Sequence, residues 1–156
     1  MTMLAERTGI CCIPYSDIMQ APNSKELFDE YCEECAIVEI GKAAPQASIY
    51  EAMQSSGAMK FFGAYQQGKL LGFASLITYT VPHYGKKIAA VESLFVAKAS
   101  RPGVGTALME SLEEYAGNEQ CAAILYSAPS GSRLEALLDH LKSYRRTNSV
   151  FTRKLQ

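Results

Sequence analysis

The segment best equipped for chemistry is Arg101-Pro102-Gly103-Val104-Gly105-Thr106, which follows the apolar run Val91 to Val96 and opens a stretch of helical spacing. Glycines let a backbone approach a ligand closely and turn successive N–H groups toward it. The first amides of a helix and its dipole favour an anion at the same place. A strand feeding a glycine turn and a helix N-terminus therefore suits a pyrophosphate. The residues exclude two common versions of such a site, because there is no Gly-x-Gly-x-x-Gly and no Gly-Lys-Ser/Thr. Pro102 lacks an N–H and removes one phosphate donor from the turn. Four residues before Val96 stands Glu92, a carboxylate on an expected half-buried strand, suited to taking a proton from an ammonium group. The plainer reading of Glu92 is a surface glutamate or one partner of an ion pair.

These residues depend on the elements around them. Ile10 to Tyr15 reads as a first strand ending in the polar turn Pro14-Tyr15-Ser16-Asp17. Asn23-Ser24 is a candidate cap for a helix through Ala36, with Leu27, Phe28, Tyr31 and Cys35 on one face. A second helix is expected from about Gln46 to Ser55, with Ile49, Ala52 and Met53 inward. Lys60 to Tyr65 and Leu70 to Thr80 make a hairpin around Gln66-Gln67-Gly68-Lys69, and Ile88 to Val96 adds a third antiparallel strand. After a loop from Ala97 to Gly103 the spacing of Val104, Leu108, Leu112 and Tyr115 predicts a helix over 104–116, ended by Gly117-Asn118. A strand over Ala122 to Ser127, a helix capped within Ser130 to Ser132 and running through Leu141, and a last strand over Ser149 to Leu155 complete the order. With no internal repeat or linker, one domain over 1–156 is expected, of α/β class with a mixed sheet.

This order, together with Leu94-Phe95-Val96 before Gly103 and Gly105, resembles the GNAT family of N-acetyltransferases. The resemblance spans most of Ala64 to Leu155 and implies a mostly antiparallel sheet flanked by helices, with a splayed central strand pair. It also implies acetyl-CoA as cosubstrate, with the backbone of Leu94, Phe95 and Val96 on its pantetheine arm and the turn Arg101, Pro102, Gly103, Val104, Gly105 and Thr106 on its pyrophosphate. The family's usual Arg or Gln three places before the first glycine is Ser100 here, and Arg101 is the candidate for the displaced charge. Glu92 falls where several small-amine acetyltransferases carry the carboxylate base. The acceptor implied is a primary amine of a small molecule or peptide, attacking the thioester directly. A non-catalytic acyl-CoA-binding module is the alternative, because the family's usual acid, a tyrosine, is missing from 134–141. Asp139, His140, Tyr144, Tyr126 and Ser127 surround that gap and leave the acid unassigned. A homodimer is a further possibility that the resemblance carries.

Arg133, near a helix start beside the expected cleft, is a candidate for a coenzyme phosphate. Tyr79, His83 and Tyr84 flank the turn between the third and fourth strands, and are either acceptor contacts or an exposed aromatic turn. Asp29, Glu30, Glu33 and Glu34 hint weakly at a cationic acceptor, although the solvent face of a helix is often acidic. Cys32 and Cys35 have half-site spacing for zinc but fall in a helical pattern, so the five cysteines are read as packed thiols and no metal is expected. A formal net charge of −1 disfavours nucleic acid. The absence of a long apolar run or an export signal points to a cytoplasmic protein with no membrane contact.

Overall fold

The computed structural model describes residues 7–155. Its centre is a five-stranded sheet in the order β1-β2-β3-β4-β5, comprising β1 (Gly9–Cys12), β2 (Met59–Gln66), β3 (Lys69–Val81), β4 (Lys86–Val96) and β5 (Ile124–Leu125). The first four strands pair antiparallel and β5 joins β4 in parallel. Helices α1 (Tyr15–Met19), α2 (Ser24–Glu34) and α3 (Ala47–Ser55) precede the meander, and α4 (Arg101–Asn118) and α5 (Arg133–His140) follow it. The expected α/β architecture is the one observed.

Each face of the sheet carries its own core, as a sheet buried on both sides requires. On one face Phe61, Tyr65, Phe73 and Phe95 pack with Tyr15, Ile18 and Leu27 of α1 and α2. On the other Leu108, Leu112 and Ala116 of α4 pack with Phe62, Ala74, Leu76 and Val96. The expected inner face of α4 is correct, with Leu108 and Leu112 fully buried. Gln67 and Gly68 both adopt positive φ between the paired Gln66 and Lys69, the backbone of a two-residue hairpin turn whose twist matches the strands.

Several expectations need correction. The first strand stops at Cys12, and Tyr15 to Met19 is helical where a turn was expected, because Pro14 begins the helix and Tyr15 and Ile18 bury on its inner side. Asn23 does not cap α2 through its side chain. Its amide instead donates to the Leu70 carbonyl at 2.8 Å and accepts from the Leu70 N–H at 3.0 Å, joining α2 to the sheet. In α3 the inward residues are Tyr50, Met53 and Gln54, while Ile49 and Ala52 are exposed. The aromatic contacts of Tyr50 with Tyr15 and Phe61 and the bond from the Tyr15 N–H to Gln54 fix that rotation. The strand expected over 122–127 shrinks to two residues, and the one expected over 149–155 does not form. The helix cap at Ser132 is confirmed, its hydroxyl accepting from the Glu135 N–H at 3.1 Å.

Candidate functional site

The site is created by a mismatch between β4 and its two neighbours. On one side β5 bonds only to the first half of β4, with Ala89 opposite Ile124 and Ala90 opposite Leu125. From Val91 to Val96 the strand has no partner on that edge. Backbone groups there are open to a ligand that carries its own amides, since buried backbone groups need partners. Leu94, Phe95 and Val96 lie in this half of β4.

On the other side the ladder with β3 shifts by one residue. Ser75 pairs with Ser93 and Leu76 with Val91, leaving Glu92 as the extra residue of a β-bulge. A bulge re-aims the side chain it carries. The Glu92 carboxylate is exposed rather than half-buried, and it accepts from the Ser75 hydroxyl at 2.8 Å and from the Tyr50 hydroxyl at 3.2 Å. The buried Ser93 hydroxyl lies 2.7 Å from that of Ser75. Since Ser75 gives its one proton to Glu92, Ser93 must donate to Ser75. Glu92 has no cationic partner among the ion pairs of the described residues. Both tyrosines near it are held protonated. Burial first, and then the charge on Glu92, pushes the Tyr50 hydroxyl up to about 12 and Tyr31 higher still.

Neither Tyr50 nor the serine pair was singled out from the sequence. A serine inside the apolar run Phe73-Ala74-Ser75-Leu76 was the only available signal. Tyr50 reaches Glu92 across 42 positions and left none.

At the end of β4 the chain makes a short 3-10 turn, Lys98–Ser100, and enters α4. Pro102 and Gly103 depart from helical geometry, Gly103 with φ of 81°. A side chain at Gly103 would meet nothing within 4 Å, and one at Gly105 would meet only the Val96 Cγ2 at 3.8 Å. Space is therefore free beside both glycines of the turn, and Val104, Gly105 and Thr106 lie in the first turn of regular helix, where amides lack intrahelical acceptors. These residues fit an anionic group followed by an amide-bearing arm. Arg101 is engaged elsewhere. Its guanidinium donates to the Val96 carbonyl at 3.3 Å and to Glu34 at 2.5 Å.

The other candidates divide. Arg133 is exposed in the first turn of α5. Tyr79, His83 and Tyr84 lie at the tip of the β3–β4 hairpin, at the opposite end of β4 from Leu94 to Val96, with His83 and Tyr84 edge to face at 4.9 Å. Tyr126 donates to Glu113 at 3.0 Å, and Tyr144 donates to the same carboxylate oxygen. Burial and the adjacent carboxylate push both phenols up, Tyr144 to about 12. Asp139 bonds Arg146, and His140 is exposed. The acidic residues of α2 are largely engaged, Asp29 with Lys25, Glu30 with the Lys98 N–H and Glu34 with Arg101. Only Asp29 and Glu34 are matched by cations, so the helix keeps an excess of negative charge. No group of three or more His, Cys, Asp or Glu among the described residues is arranged to hold a metal. No helix of the described residues is long and apolar enough to cross a membrane.

The β4 edge left open beyond Ala90, the glycine turn at the start of α4 and the strand order stand together at one end of the sheet. The family model for the acetyltransferase (GNAT) family matches residues 24–142, and the chain belongs to that family. Solved structures agree on the fold. A ribosomal-protein-alanine N-acetyltransferase from Brucella melitensis biovar Abortus 2308 superposes with a TM-score of 0.68 at 19% identity, over 94% of this chain and 99% of that one. The aminoglycoside acetyltransferase meta-AAC0020 from an uncultured soil metagenomic sample gives 0.73 at 15% identity, over 94% and 95%. The aminoglycoside acetyltransferase HMB0005, also from an uncultured soil metagenomic sample, gives 0.69 at 17%, over 92% and 95%. No curated protein sequence matches this chain significantly. GNAT acetyltransferases use acetyl-CoA as cosubstrate, and family membership implies an acyl-CoA-dependent acetyltransferase.

Proposed function

We propose that this protein transfers the acetyl group of acetyl-CoA directly to a primary amine of a small molecule or peptide, with Glu92 as the base. The observation that carries this reading is the conjunction on β4. The strand loses its outer partner from Val91 onward, bulges at Glu92 and leads into the Gly103 turn. Bound acetyl-CoA supplies an activated acetyl thioester. The open backbone of Leu94, Phe95 and Val96 holds the arm and the acetyl carbonyl, and the amides of Gly103, Val104, Gly105 and Thr106 hold the pyrophosphate, with Pro102 shaping the turn. Arg101 adds charge beside them by exchanging its contact with Glu34 for the phosphate. Glu92, fixed by Ser75 and Tyr50 and lacking a cationic partner, accepts a proton from the acceptor's ammonium group, directly or through water.

The test uses turnover on an amine panel followed by Glu92→Gln. Removing a general base lowers kcat by about 10²-fold or more and abolishes the acidic limb of the pH profile. Unchanged turnover and an unchanged profile would reject the base assignment.

One observation favours the second reading, a non-catalytic acyl-CoA-binding module. Helix α5 carries no tyrosine, and Tyr126 and Tyr144 are both committed to Glu113. Calorimetry showing tight coenzyme binding with no thiol release across the amine panel selects the module. Thiol release with any amine selects the enzyme.

A further inference from the structure

Two buried hydroxyls face each other across the sheet beside Glu92, and they do not satisfy each other. Ser75 and Ser93 are directly opposed in the β3–β4 ladder, 0% and 7% exposed, with their oxygens 2.7 Å apart. Such a pair holds two protons, and one contact between two oxygens consumes only one of them. The second proton must find an acceptor outside the pair, because a buried donor without one is costly. It finds Glu92, whose Oε2 lies 2.8 Å from the Ser75 hydroxyl. The bulge brings that carboxylate within reach, since the serine pair adjoins the register shift.

Packing does not require the serines. Alanines at both positions would occupy the same ladder and leave no donor to satisfy. A proton wire does not explain them either, because among the described residues Ser93 has no hydrogen-bond partner beyond Ser75. A proton taken up by Glu92 leaves instead from the exposed face of the carboxylate, which is open to water.

We propose that Ser75 and Ser93 are positioning residues for Glu92, Ser75 holding the carboxylate by its own hydrogen bond and Ser93 acting only by turning the Ser75 proton toward it. With Oε2 held from inside the sheet and Oε1 by Tyr50 at 3.2 Å, the carboxylate presents its remaining lone pairs to the exposed side. An acceptor's ammonium group, or a bridging water, can reach it there. The inference rests on Glu92 as the base.

The experiment compares Ser75→Ala, Ser93→Ala and the double variant for kcat on an accepted amine, for acetyl-CoA KM and for thermal melting. Activity and stability should rank the variants differently. Ser75→Ala should lower kcat about tenfold with the acetyl-CoA KM unchanged, since the base is no longer aimed. Ser93→Ala should lower it about two- to threefold, because Ser75 keeps its bond but loses the group that orients it. The double variant should be no slower than Ser75→Ala, as Ser93 then has nothing left to turn. In melting temperature Ser75→Ala should lie lowest, with the buried Ser93 hydroxyl unpartnered, and the double variant should recover toward wild type. The double variant also carries the comparison if Ser75→Ala alone does not fold. In a Glu92→Gln background Ser75→Ala should change kcat by less than about twofold. Wild-type kcat in Ser75→Ala or the double variant, with Glu92→Gln slow, would overturn this inference and leave Glu92 as the base. So would a kcat that follows melting temperature across the variants, or a Ser75→Ala effect undiminished in the Glu92→Gln background. If Glu92→Gln turns over like wild type, or no amine is acetylated, the base assignment fails and takes this inference with it.

Discussion

Glu92 is aimed by one extra residue in β4, and its neighbours show how the aim is kept. Tyr50 approaches from α3 with its ring against Tyr15 and Phe61, and Ser75 approaches from within the sheet. The Tyr50 hydroxyl should report on this arrangement at alkaline pH. Its value is raised from the ordinary 10.0 to about 12 by burial, by the Glu92 charge and by the hydrogen bond to it. Between those limits the folded state holds a proton that the unfolded chain has lost. The contribution of Tyr50 is therefore full below pH 10 and is lost as pH rises through about 12. Urea midpoints measured across that interval should fall less steeply for Tyr50→Phe than for the wild type. Equal slopes would mean that Tyr50 is not held by Glu92. The position of Glu92 was legible because a carboxylate in an apolar strand ahead of a glycine turn is conspicuous. Its support was not, because a register shift between strands leaves no mark in either strand alone. The partners of Asp29, Glu30 and Glu34 were illegible for a related reason, since the cations and amides that engage them lie partly on other elements.

At the scale of elements, the glycines separate conformation from clearance. Gly103 has a left-handed φ with empty space where a side chain would go, so Gly103→Ala carries only a conformational cost of about 1 kcal/mol. Gly105 is helical, and a methyl there would meet Val96 Cγ2 at an ordinary 3.8 Å. Gly105→Ala should therefore hold or raise the melting temperature, yet weaken coenzyme binding if the ligand lies against that backbone. Calorimetry and thermal melts on the same variant separate the two effects, and undiminished affinity would remove Gly105 from the site. Gly72 differs from both, because its added methyl would stand 2.6 Å from the Phe95 carbonyl oxygen, a backbone atom with little room to yield. Gly72→Ala should cost about 1–3 kcal/mol by forcing β3 away from the end of β4, read as a lower urea midpoint. Strands with turns of recognisable chemistry were legible, and the meander lies within two residues of its expected bounds. Helix α1 and the rotation of α3 were not, because short helices are set by what buries their few inner side chains. Tyr15 and Gln54 satisfy each other across 39 positions.

The molecule as a whole is two helical layers on one sheet, and at the site end the layers are tied by one ion pair. Glu34 ends α2 on one face, and Arg101 opens α4, which covers the other. Their 2.5 Å contact, with the bond from Arg101 to the Val96 carbonyl, spans the end of β4 where the coenzyme's pyrophosphate is proposed to lie. If Arg101 turns to that phosphate, it gives up Glu34, and the coenzyme must compete with the carboxylate for the same guanidinium. Glu34→Gln removes the competitor. A partly exposed pair of this kind is worth about 0–1 kcal/mol, so the coenzyme Kd should fall by up to about fivefold and the protein's own stability should drop by no more than that energy. The gain should shrink as salt is raised, because the freed charge is screened. Titration calorimetry of wild type and Glu34→Gln at two ionic strengths reads the affinity and its salt dependence, and urea unfolding of the two proteins reads the stability. An unchanged Kd at low salt would mean that Arg101 stays with Val96 and works as a clamp between the layers, leaving the phosphate to the amides of the turn.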